Sequence, residues 1–405
     1  MFVRCLTAAS RPQVTLAEVL QAGLPAYAAK HSLPLQHWKT LRAIMACRTP
    51  ALGGHLYQCR HCGKEHFVPH SCRNRHCPTC QAANSVDWMA KQAEVLLPIP
   101  YFHLVFTLPH DLNPLIQQNQ TSLYDLLFAA AAATLLEFGR NHFRAQIGVT
   151  AVLHTWSQTL FDHYHLHCIV TGGGLRPDSL EWKAAAAHWL FPVRALSVVF
   201  RAKFRDGLRA LYDSGKLEFH GQLQPLAQPG RFAQLVRGVA RKKWVVYAKR
   251  PFPGAKAVLA YLSRYTHRVG LTNHRLRGCD EQRQTVTFDY KDYAYGSRHK
   301  LLTLDLEEFI RRFRLHLLPN RFVKIRHYGL LANRHRKAHV AQVRAALNAQ
   351  EDHEPAPAPE LAAGTPVLST TAPEAVCPHC HRPGLQLIRI LAPYAALNPA
   401  YADSS

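Results

Sequence analysis

Three groups of residues in this 405-residue chain have types and spacings that can do chemistry. The segment HYHLHCIV alternates His163, His165 and His167. On a strand of period two these rings project from one face, where neighbours can share a divalent ion. An isolated H-x-H is ordinarily a pair of surface histidines packed across strands. Here the preceding segment carries His154, Trp156 and Gln158 at the same alternation. A hairpin would bring the Gln158 amide oxygen to the histidine face as a third ligand, ahead of Asp162 or His163. Hydrolases that use H-x-H run on to an acidic residue and a third histidine, whereas Cys168 and Ile169 follow His167.

The second group is VLAYLSRYTHRVG, which sets Tyr261 and Tyr265 four residues apart on one helix face, with Arg264 and Arg268 beside them. Tyrosines at this spacing are ordinarily packing residues. Beside a metal site they acquire another role, because a phenolate can attack a phosphodiester in line and hold DNA as a phosphotyrosine. A metal would polarise the scissile phosphate, and the arginines would balance charge on its oxygens.

The third group is CRHCGKEHFVPHSCRNRHCPTC, with Cys59 and Cys62 as one C-x-x-C, Cys77 and Cys80 as another, and fourteen residues between. Two such turns complete a tetrahedral zinc site of four thiolates. Its lack of an open position makes the role structural. Cys72, His76 and His66 are spare candidates. Arg60, Lys64, Arg73 and Arg75 decorate these turns, as a DNA contact or as plain solvated basic surface. The C-terminal pair Cys377 and Cys380 is half a site; it needs a partner such as His379 or His381, or binds no metal.

The elements that must position these groups mix helices and strands. Apolar spacing predicts helices over 16–30 and 35–47, then a Cys- and His-rich stretch over 53–81 with little periodicity. YFHLVFTLP at 101–109 reads as a strand, followed by a helix over 115–144. Strands at 148–156 and 164–171, joined by a turn near Asp162, close on three glycines from Gly172. Helices at 194–213 and 230–241, a strand at WVVYAK, a helix at 255–267, a strand at TVTFDY and a helix at 304–317 complete an α+β chain. Residues 350–376, rich in Pro, Ala, Glu and Thr, read as a linker. The domains expected are a helical and zinc-binding module over 1–95, the histidine and tyrosine domain over 100–336, and a flexible tail over 337–405 ending in CPHC.

Lys and Arg number 49 against 26 Asp and Glu, a net charge of +23. That excess points to a polyanion, nucleic acid first, since phosphate neutralisation drives such binding without sequence recognition. The longest apolar run, Leu126 to Leu136, is eleven residues, too short to span a bilayer, and no basic amphipathic anchor appears. MFVRCLTAASRPQ lacks the pattern of a secretory leader, so a reducing cytoplasm is expected. Seven of eleven cysteines fall in tight clusters, which suggests zinc rather than disulfides.

These residues together resemble the HUH endonuclease superfamily, with Leu166 as the bulky residue between His165 and His167. LGGHLYQC, SCRNRHCPTCQ, YFHLVFTLP, LHTWSQTLFDHYHLHCIVTGGGL, YLSRYTHRVGLTN and FVKIRHYGLLANRHR, in that order over 45–336, make the chain similar to two-tyrosine transposases of the insertion-sequence-91 family. The resemblance implies a nuclease core with an antiparallel sheet flanked by helices on one face, Mg²⁺ or Mn²⁺ at His165 and His167, and rolling-circle transposition. It further implies single-stranded or hairpin transposon ends as the DNA partner, the host replication machinery, and action at the bacterial nucleoid. A replication initiator or relaxase would share this chemistry. A zinc-dependent nucleic-acid-binding protein without catalysis would need only the charge and the cysteines.

Overall fold

The structure is a computed structural model, and it describes residues 14–186, 190–249, 251–252, 257–258, 261, 270–293, 296–351 and 375–393. Helices in chain order are α1 (Leu16–Lys30), α2 (Leu35–Met45), α3 (Pro78–Ala93), α4 (Asn113–Gln118), α5 (Gln120–Phe143), α6 (Val193–Asp213), α7 (Pro229–Arg241), α8 (Leu306–Arg314) and α9 (Arg336–Glu351). Strands are β1 (Gly54–Cys59), β2 (Glu65–Pro69), β3 (Tyr101–Thr107), β4 (Gln146–Trp156), β5 (Asp162–Leu175), β6 (Trp182–Ala184), β7 (Val245–Ala248), β8 (Leu276–Asp280), β9 (Thr285–Asp292), β10 (Arg298–Asp305), β11 (Ile325–Gly329) and β12 (Leu385–Leu391). The α+β class expected from the sequence is what the chain adopts.

The chain divides into two compact units, each discontinuous: residues 1–83, 271–311 and 357–405, and residues 84–270 and 312–356. These units group the chain differently from the three successive segments read from sequence order. In the first unit, α1 starts at a capping box: Thr15 Oγ1 accepts from the Glu18 amide at 3.3 Å, and Glu18 Oε2 accepts from the Thr15 amide at 2.8 Å. TVTFDY becomes β9 of a β8–β9–β10 meander, and its inward Phe288 packs on Phe309 of α8 at 6.0 Å between rings. β12 pairs antiparallel with β1, whose other edge carries β2.

The second unit is built on an antiparallel sheet in the order β11-β4-β5-β3-β7, with β6 added to β5. Period-two alternation sends Phe102, Leu104 and Phe106 of β3, Val149, Ala151 and Leu153 of β4, and Leu166, Cys168 and Val170 of β5 to one face. That face is covered by Leu127, Phe128, Ala131 and Leu135 of α5 and by Leu196, Phe200, Phe204 and Leu208 of α6. The α6 residues recur every four positions, the stripe a helix needs to lie on a sheet. Helix α5 is long and apolar enough to cross a membrane by length and composition, with mean hydropathy 1.3, but its apolar residues face this core. The other sheet face also carries helix: Val340 and Val343 of α9 pack with Tyr101 and Ile169, beside Val258 and Tyr261. Coverage on one face only, as the resemblance implied, is thus incomplete.

Candidate metal and nucleophile site

Strand β5 places two chemistries on its two faces. Tyr164, Leu166 and Cys168, each at most 1% exposed, anchor the strand in the core, so His163, His165 and His167 must face the other way. His154 of β4 stands opposite His165 in register. One nitrogen from each of His154, His165 and His167 lies within 4.8 Å of the others. Ring centroids are 4.5 Å apart for His154 and His167, 4.9 Å for His165 and His167, and 5.5 Å for His154 and His165, all at steep angles.

The surroundings decide which nitrogen each ring offers. His165 Nδ1 donates to the His163 carbonyl at 2.8 Å, leaving Nε2 as the electron-pair donor. His167 Nδ1 is taken up by His103 Nε2 at 2.9 Å and the Tyr261 hydroxyl at 3.1 Å, which again leaves Nε2. Burial holds the His165 pKa well below 6.5, helped by His167 and His163, so its ring is neutral, the form that binds a metal.

The third ring of this cluster is His154, and Gln158 stands apart from it. A register shift between His154 and Trp156 pairs Trp156 with Asp162, and Gln158 falls in the turn after β4, off the alternation. The other two alternatives are engaged elsewhere. The Asp162 carboxylate accepts from Gln117 Nε2 at 2.7 Å, and the His163 ring stacks on His110 at 5.3 Å.

Tyr261 lies 7% exposed against this cluster, its hydroxyl 2.7 Å from His103 Nε2. Tyr265, Arg264 and Arg268 lie outside the described residues. His103 is the residue that sequence reasoning missed. Its signal was a lone histidine inside YFHLVFTLP, at a position facing away from Phe102, Leu104 and Phe106. It is 1% exposed, its ring stacks on His167 at 5.1 Å, and its Nδ1 has no hydrogen-bond partner among the described residues. Burial, with Lys249 and His165 nearby, lowers its pKa to about 3, so the ring is neutral.

The cysteines assemble differently from the expectation. Cys59 and Cys62 do not join Cys77 and Cys80. The first pair stands at the turn between β1 and β2, the second at the start of α3. Cys77 and Cys80 instead gather with Cys72 and with Cys47, just beyond α2, while Cys59 and Cys62 gather with Cys377 and Cys380. Cys80 Sγ is 3.5 Å from Cys47 Sγ and 3.6 Å from Cys72 Sγ. Zinc–sulfur bonds of about 2.3 Å in a tetrahedron separate sulfurs by about 3.8 Å, so these thiols suit zinc. His66, His76, His379 and His381 belong to neither cluster. Arg73 is exposed with φ 51°, while Arg75 is half-buried and its guanidinium pKa is lowered by burial.

Fold and site define a protein with a tri-histidine cluster on an antiparallel sheet, joined to a thiol-rich module. Residues 19–108 match the family model described as "Transposase zinc-binding domain", and residues 148–339 match that described as "Putative transposase". The chain is 44% identical over 340 residues to "Putative transposase y4qJ" of Sinorhizobium fredii, covering 83% of this chain and 84% of that one. It is 28% identical over 325 residues to the transposase for insertion sequence element IS801 of Pseudomonas savastanoi pv. phaseolicola, covering 80% and 76%. Among solved structures, a conjugative relaxase TrwC in complex with oriT DNA aligns at 15% identity and TM-score 0.22, over 40% of this chain and 68% of that one. The chain belongs to the transposase family of the insertion-sequence-91 type.

Proposed function

We propose that this transposase nicks and joins single DNA strands through a 5′-phosphotyrosine, with Tyr261 and Tyr265 as the paired nucleophiles and His154, His165 and His167 as ligands of Mg²⁺ or Mn²⁺. The observation that carries this reading is the Tyr261 hydroxyl within hydrogen-bond reach of His167, itself one of three clustered histidines. A divalent ion bound there would polarise the scissile phosphate. With His167 Nδ1 protonated, it donates to the Tyr261 oxygen while that hydroxyl donates to His103 Nε2, an arrangement that favours a developing phenolate. The phenolate oxygen would bond to phosphorus as the 3′-oxygen leaves, freeing a 3′-hydroxyl for replication and keeping the 5′-phosphate on tyrosine. The second tyrosine would serve the next strand transfer in a rolling-circle cycle. Single-stranded or hairpin transposon ends are the expected substrate, in the cytoplasm beside the host replication machinery. A net charge of +23 suits such a polyanion, with Arg264, Arg268, Arg73 and Arg75 as phosphate contacts. We assign the thiols of Cys47, Cys72, Cys77 and Cys80 to a structural Zn²⁺.

The test is a labelled single-stranded element end incubated with protein and Mg²⁺ or Mn²⁺. A covalent adduct is expected from wild type and from one of the single variants Tyr261→Phe and Tyr265→Phe, and none from the double variant. No adduct from wild type would sink the proposal, and full strand transfer by the double variant would remove Tyr261 and Tyr265 from the chemistry.

A further inference from the structure

We propose that Cys59, Cys62, Cys377 and Cys380 hold a second structural zinc ion, and that this ion fastens the C-terminal segment to the N-terminal module. Cys62 and Cys377 are 315 positions apart, yet their sulfurs lie at 3.7 Å, and those of Cys59 and Cys380 at 3.6 Å. A disulfide needs about 2.05 Å. The observed separations suit the roughly 3.8 Å edge of a zinc–thiolate tetrahedron. The "Transposase zinc-binding domain" match ends at residue 108, so it reaches neither Cys377 nor Cys380.

The two C-x-x-C turns also share one conformation. The amide of His61 donates to Cys59 Sγ, and that of His379 to Cys377 Sγ, both at 3.4 Å. The amide after the second cysteine donates to the carbonyl of the first at 2.9 Å in both, from Gly63 and from His381. Those two residues are left-handed, with φ 68° and 56°. A glycine adopts that region freely, whereas a histidine there reflects a turn held by its surroundings. Two N–H groups aimed at sulfur favour the thiolate a metal requires.

The strand beyond the second turn lacks a core. In β12, Leu387, Ile388 and Ile390 are 50%, 48% and 64% exposed, although the backbone pairs with β1 from Cys59 opposite Leu385 to Gly54 opposite Leu391. The far end is accommodated by Gly53, where a Cβ would lie 2.3 Å from the Leu391 carbonyl oxygen. A seven-residue strand with so little apolar burial is held by its metal turn and backbone pairing.

Cobalt substitution of the full chain tests this, since thiolate-to-cobalt charge-transfer absorption counts cysteine sites and is silent at histidines. Two tetrathiolate equivalents per chain are expected. Cys377→Ser/Cys380→Ser and Cys59→Ser/Cys62→Ser should each halve the signal, as should Cys47→Ser/Cys72→Ser. One equivalent in wild type, or an undiminished signal in Cys377→Ser/Cys380→Ser, overturns the proposal. A second measurement uses wild type alone: Cys62 is solvent-exposed, yet in zinc-loaded protein it should resist iodoacetamide until a chelator is added. Alkylation of Cys62 at the rate of a free thiol before chelation also overturns it. Neither readout involves DNA, so the proposal stands or falls apart from the nicking chemistry.

Discussion

On the sheet of the second unit, His154, His165 and His167 stand on strands whose opposite face is packed against α5 and α6. In the cysteine module β2 and β12 bury no residue, and β1 buries only Gly54 and Cys59. The histidine site is thus a product of a core that exists without an ion, and a metal held there would serve the proposed chemistry. The cysteine sites are the reverse, because there the proposed zinc would supply the cohesion that a core supplies elsewhere. One chain therefore uses metal donors in two ways, and each can be disturbed without the other.

The largest expected separation comes from chelation. Structural zinc is worth roughly 10–16 kcal/mol of apparent binding energy in small zinc peptides. Amide exchange in β1, β2 and β12 should accelerate by about a thousandfold or more on zinc removal, while β3, β4 and β5 keep their protection. Equal loosening of both regions, read by hydrogen-exchange mass spectrometry, would erase the contrast. The converse is Leu166→Ala, which opens a cavity behind the histidines. It should cost about 2–5 kcal/mol in thermal unfolding of the second unit and leave the cobalt–thiolate signal unchanged.

Within the histidine site, His154→Ala should lower covalent-adduct yield by about a hundredfold, as loss of a metal ligand does, while Gln158→Ala stays within about threefold. The opposite ranking would restore Gln158 as the third ligand. A pH titration of the metal-free protein probes two buried histidines of the same unit. The His103 pKa is lowered from 6.5 to about 3 and that of the buried His316 from 6.5 to about 4, both by burial. Unfolded chains take up these protons below 6.5 and the folded chain does not, so stability is full above 6.5 and falls toward pH 4. The slope in urea unfolding should be about 1.4 kcal/mol per pH unit for each histidine. A flat profile would mean that those rings take up protons in the fold as readily as in the unfolded chain. The smallest effect belongs to Arg73→Ala, which should weaken DNA binding a few-fold and lower the salt-dependence slope by about one.

Much of the histidine site was legible because strand alternation is local. His165 and His167 flank Leu166, and no strand can bury that leucine without turning both rings to the other face. The third histidine of the cluster was not legible, since a register shift between His154 and Trp156 breaks the alternation that pointed to Gln158. His103 escaped for a related reason: only the pairing of β3 with β5 brings it to His167.

The cysteines draw the same boundary more sharply. Sequence alone determined that this chain carries C-x-x-C turns, because that spacing closes a metal turn within a few residues. It likewise determined the alternating histidines and the basic charge. Which turn meets which was decided only by the tertiary structure: the return of β12 to β1 brings Cys377 and Cys380 to Cys59 and Cys62, while Cys47 and Cys72 complete the site of Cys77 and Cys80. Spacing constrains neighbours through covalent geometry, whereas partners across hundreds of residues are chosen by strand register and the path of the whole chain.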